Sequence, residues 1–142
     1  MNHQLDSSWW TLRIAFGATA FLAGLDKFFN LLADWEAYVS PLMTSIVPLS
    51  AGTLMRVAGV IEMIAGIAVL AGITRLGGYV IAAWLTLIAI SLVTNGRYFD
   101  VAVRDLVMAA GAFTLAKISE ARAATSPSRS SSPAPSRVPA SA

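Results

Sequence analysis

The chain of 142 residues contains no cysteine. That excludes disulfides, thiolate metal ligands, cysteine-held iron–sulfur clusters and a catalytic thiol of its own. Histidine is almost as scarce. The single one, His3, stands before the first apolar segment, which leaves none inside such a segment to hold a haem. Charge is the third shortage. Only 13% of residues are Asp, Glu, Lys or Arg, the formal net charge is +2, and no run of Lys or Arg offers a surface for nucleic acid. Any redox chemistry therefore has to come from a partner protein or from a bound organic cofactor. What the chain has in abundance is apolar surface, with 56% hydrophobic residues and a mean hydropathy of +0.67. A soluble domain of this size has too little interior to hide it, so the sequence predicts an integral membrane protein in contact with the lipid bilayer.

Four apolar segments suit spanning helices, at about residues 9–32, 54–71, 76–94 and 101–118. They predict an all-α fold, an integral membrane four-helix bundle, with an interfacial loop between helices 1 and 2. A cleaved signal peptide ending at Ala18-Thr19-Ala20 competes for the first segment. No basic residue precedes that segment and Arg13 interrupts it, so the spanning reading is preferred. The Ala33 to Thr53 loop mixes Asp34 and Glu36 with Trp35 and Tyr38 and is broken by Pro41 and Pro48. Short helical pieces lying at the membrane surface fit that composition, as an anchor or as a lid over the bundle end. Asp100 is expected to cap the start of the last helix. Residues 123–142 are rich in Ser, Pro and Ala and are expected to be disordered.

The organising stretch is Arg56 to Leu70, apolar but for Arg56 and Glu62. On a helix Glu62 shares a face with Ala58, Gly59, Ala65 and Gly66. A carboxylate on a small-residue face turns towards other helices, because lipid offers it no partner. The first segment has a matching stripe of Arg13, Gly17, Ala20, Gly24 and Lys27. The fourth has Asp105, Ala109, Ala112 and Ala116. Antiparallel spans bring Lys27, Glu62 and Asp105 to one side, at roughly 7, 12 and 7 Å depth for a rise of 1.5 Å per residue. The expected result is an intramembrane polar cluster of Asp26, Lys27, Arg56, Glu62, Arg104 and Asp105 beneath the long loop. Three uses fit it. Paired charges fasten the helices together, or they bind a small molecule or relay a proton, or they dock a partner. No catalytic residue and no metal ligand set is assigned.

These elements resemble the DoxX family of small four-helix membrane proteins. The resemblance rests on Arg13, Gly17, Gly24 and Lys27 in LRIAFGATAFLAGLDKF, and on Glu62, Gly66, Gly72 and Arg75 in EMIAGIAVLAGITR. RDLVMAAGAFTLA is similar in character, and the likeness covers roughly residues 9 to 120. The family takes its name from membrane subunits of a thiosulfate:quinone oxidoreductase, and some members are linked to redox partners. The resemblance thus implies a non-catalytic membrane subunit or scaffold beside a partner oxidoreductase. The alternative is a site that holds a quinone or an organic acid, or passes a proton, through the charged cluster. A pore would need a homo-oligomer. The resemblance also implies an inner-membrane protein, and Arg75, Lys117, Arg122 and the tail arginines favour both termini in the cytoplasm.

Overall fold

The computed structural model describes residues 3–125, and every regular element among them is helical. Helix α1 (His3–Asp26) leads through a 3-10 turn at Trp35–Tyr38 to the short α2 (Pro41–Ile46). Then come α3 (Ala51–Ala71), α4 (Thr74–Asn95) and α5 (Phe99–Thr125). Both α3 and α4 are long and apolar enough to cross a membrane. The expected tail begins inside a helix, because α5 runs to Thr125, and the remainder of the tail lies outside the described residues.

Local chemistry explains where the helices stop. Helix α1 ends at Asp26, before the Leu32 where hydropathy alone puts the end of the first span. The Asp26 carboxylate accepts the backbone N–H groups of Leu31 and Leu32, both at 2.9 Å, and Asn30 turns the chain with a φ of 53°. A side chain that satisfies the following amides competes with further helix. Helix α3 is capped at its start by Ser50, whose Oγ accepts the Thr53 N–H at 3.2 Å, and at its end by Gly72 with a φ of 108°. Its final carbonyls receive a cation. Arg13 of α1 donates from Nε to the Val69 oxygen at 3.0 Å and from Nη2 to the Leu70 oxygen at 2.5 Å. Asp100 lies one residue inside α5 instead of capping it, and pairs with Arg104 at 3.7 Å across one helical turn.

The four long helices form a ring. Helix α1 lies tightly along α3 and α4 along α5, while α3 meets α4 and α1 meets α5 more sparingly. Glycine sets the first contact. A Cβ on Gly24 would fall 2.5 Å from the Gly59 carbonyl oxygen, and one on Gly59 would fall 2.6 Å from that of Gly24. Gly66 stands in the same way 2.6 Å from the Gly17 oxygen. Only bare backbone permits that approach. The small faces read from the sequence are the buried ones: Ala58, Gly59, Ala65 and Gly66 on α3, and Ala109, Ala112 and Ala116 on α5. Val69, Ile81, Ala112 and Leu115 fill the centre of one half of the ring. Ala89, Leu92 and Ala102 pack under Tyr38 and Tyr98 in the other. At the end near the termini, Trp9 donates to Ser119 at 2.8 Å and Arg122 pairs with Asp6. There Lys117 and Tyr79 both donate to Glu120, and those bonds hold its carboxyl below the usual glutamate range.

Candidate functional site

Lys27 sits just past the end of α1, on the helix face that carries Gly17 and Gly24. The close approach of α1 and α3 aims its ammonium at Glu62, about three turns into α3. Nζ donates to Glu62 Oε2 at 2.6 Å, and the two side chains are 5% and 10% exposed. The other carboxylate oxygen, Oε1, accepts the indole N–H of Trp84 from α4 at 2.9 Å. Trp35, from the 3-10 turn, lays its ring 3.8 Å from the Lys27 ammonium. Both charges are thus paired and hydrogen-bonded, as burial requires. Three helices and the loop meet at this one carboxylate–ammonium contact.

The pair borders open space. A cavity of about 570 Å³ lies beneath the loop, between the α1–α3 pair and the α4–α5 pair. Its walls are mainly apolar, and Lys27, Glu62, Trp84, Ser91 and Asp105 are among the few polar groups on them. Trp35, Tyr38, Val39 and Met43 of the loop line its end. Ser40 fastens that loop, with its Oγ 3.3 Å from the Ser91 Oγ of α4. The volume falls in the range of small-molecule sites, and a largely apolar wall with a few convergent polar groups is their usual make-up.

The six residues named from sequence fare differently. Lys27 and Glu62 are joined directly. Asp105 is half-buried, lines the cavity and feels the charges of Glu62 and Lys27, but forms no hydrogen bond or ion pair with a described residue. Arg104 reaches the cavity wall with an exposed side chain directed to Asp100. Asp26 is buried but bonds to neither member of the pair. Besides the amides of Leu31 and Leu32 it accepts the Trp35 indole N–H at 2.8 Å, which positions the ring over Lys27. Arg56 is exposed and takes no part in the cavity wall. Among the described residues no group of His, Cys, Asp and Glu is placed to hold a metal.

Trp84 and Trp35 escaped the sequence reading. The third span carries no charge, so nothing in it drew attention as a partner for Glu62. A signal was present, since an indole N–H in the middle of an apolar helix needs an acceptor. Trp35 reads as an interfacial aromatic until Asp26 is seen to hold its N–H.

Among known proteins, the family model described as DoxX matches residues 8–95, from the start of the first segment to the end of α4. Helix α5 lies beyond the matched region. No curated protein and no solved structure matches the chain.

Proposed function

The chain belongs to the DoxX family, a type of membrane protein, and from that premise we propose a four-span protein whose cavity binds a small, membrane-soluble organic molecule. One observation carries the reading: the Lys27–Glu62 pair faces a cavity of about 570 Å³. Protein interiors are close-packed, and a pair that only fastened helices would need no such space beside it. The mainly apolar wall with its few polar groups suits a lipophilic organic molecule. The loop would then act as a lid, with Trp35 tied to both Asp26 and Lys27. The basic residues at the end near the termini support an inner-membrane placement with both termini cytoplasmic, which puts the cavity near the outer face.

A second reading, the non-catalytic subunit or scaffold for a redox partner, draws on the loop itself. Leu31 and Leu32 are exposed beside the acidic Asp34, a surface a protein partner would cover.

Extraction in mild detergent followed by native mass spectrometry tests both. The expected result is a copurifying small molecule, about one per chain. It should disappear in Ala23→Phe, which fills the cavity, and persist in the loop variant Glu36→Gln. Identical small-molecule content in Ala23→Phe, at matched elution volume, would overturn the binding role. A stoichiometric protein partner would establish the scaffold.

A further inference from the structure

We infer that the molecule taken up by this cavity is a lipophilic organic cation, which enters sideways from the bilayer between α3 and α4 and is paired by Asp105. The inference rests on the binding role proposed above and adds the ligand's chemistry and its route.

The charges around the cavity do not balance from within. Lys27 and Glu62 neutralise each other at 2.6 Å, and the second oxygen of Glu62 is taken by Trp84. Arg104 reaches the wall, but its guanidinium lies 3.7 Å from Asp100, and the two side chains are 74% and 67% exposed. That pair belongs to the wet rim. Asp105 is left as a half-buried carboxylate on the wall with no donor from a described residue. A carboxylate partly withdrawn from water and lacking a partner gains most from an incoming cation. An anion would meet Asp105 as a like charge and would find Lys27 already engaged. The surroundings suit a soft cation as well. Trp35 is taken by Lys27, but Tyr38 and Trp84 add aromatic wall, and the faces of such rings attract diffuse positive charge.

The route follows from residues that serve two surfaces. Val57 of α3 and Val80 and Leu87 of α4 line the cavity, yet they are 47%, 41% and 48% exposed. The Trp84–Glu62 hydrogen bond aligns α3 with α4 so that Val57 and Leu87 lie within about one turn of each other along the antiparallel helices. They flank a seam where the two helices meet sparingly. An apolar opening at that depth admits molecules already dissolved in lipid.

Two probes of equal shape and opposite charge test this: tetraphenylphosphonium and tetraphenylborate. Each is measured by equilibrium dialysis against the full chain in lipid nanodiscs, with empty nanodiscs as the blank. Saturable binding of tetraphenylphosphonium is expected. Asp105→Asn should weaken it about tenfold, the weight of one charge-assisted contact. Asp105→Glu should retain it, as should Asp34→Asn in the loop. Leu87→Trp, at the seam, should slow uptake. Equal or tighter binding of tetraphenylborate, or unchanged affinity in Asp105→Asn, overturns the inference. A neutral molecule that copurifies and is displaced by Ala23→Phe, with no tetraphenylphosphonium binding, also overturns the charge assignment while leaving the binding role intact.

Discussion

At the scale of the residue, Lys27 and Glu62 raise a question of cost. Burying two charges removes hydration that their attraction only partly returns, so such a pair is a poor source of stability. Removing one partner is worse, because the other stays charged and alone. Lys27→Met should therefore destabilise the protein by about 3 kcal/mol, with Glu62 left to Trp84 as its single donor. The double variant Lys27→Met with Glu62→Gln should recover most of that loss. The amide that replaces the Glu62 carboxylate is uncharged, and its carbonyl oxygen can still accept the Trp84 N–H. Thermal unfolding in mild detergent, followed by the amount of chain that stays monodisperse, measures both. Equal losses in the single and double variants would show that uncompensated charge is not what Lys27 prevents. The sequence announced Glu62 because a lone carboxylate in an apolar run has to turn inward. It placed Lys27 beside it but did not announce Trp84 as the second donor. Arg56, six residues before Glu62, is not on that inward face, and its long side chain is free to reach water.

At the scale of the element, α1 and α3 meet backbone to backbone, and the neighbour at each glycine decides what a substitution does. At Gly24 a new methyl would strike the Gly59 carbonyl at 2.5 Å and the Met63 nitrogen at 2.9 Å, neither of which can rotate away. At Gly111 it would meet the far edge of the Phe16 ring at 2.7 Å, which can swing aside. Gly24→Ala should thus cost about 1–3 kcal/mol and loosen the Lys27–Glu62 contact, while Gly111→Ala should cost less than half as much. The same unfolding assay ranks the two, and equal tolerance would mean that the helices are free to part. The glycine stripes were legible because a period of three and four residues places them on one face. The end of α1 was not. Hydropathy runs on through Phe28, Phe29, Leu31 and Leu32, and only the Asp26 carboxylate, bonding forward to two amides, shows that the helix has already stopped. Asp100 misled for a related reason: a carboxylate suits both the cap position and the first turn, and hydropathy does not separate the two.

At the scale of the whole molecule, the ring ties the membrane reading of all four long helices to that of two. If α3 and α4 cross a bilayer, α1 is held along α3 at Gly17–Gly66 and Gly24–Gly59, and α5 is held along α4, so both share the same slab. Their lengths permit it. The 24 residues of α1 and the 27 of α5 rise about 36 and 40 Å, more than the ~30 Å of hydrocarbon. Hydropathy alone ranks them lower, because charges interrupt them: Asp6, Arg13 and Asp26 on α1, and Asp100, Arg104, Asp105, Lys117, Glu120 and Arg122 on α5. Four antiparallel spans would put Ser7 and Thr125 on one side of the membrane and Asp34 on the other. The chain's lack of cysteine makes the arrangement directly measurable, since Ser7→Cys, Asp34→Cys and Thr125→Cys each introduce the sole thiol. With a membrane-impermeant maleimide on sealed spheroplasts, Asp34→Cys should label at once, and Ser7→Cys and Thr125→Cys only after lysis. The opposite pattern would keep four spans and reverse their direction, moving the cavity to the cytoplasmic face. Alike labelling of Ser7→Cys and Asp34→Cys in sealed spheroplasts would mean that α1 does not cross, and the four-span arrangement would fall.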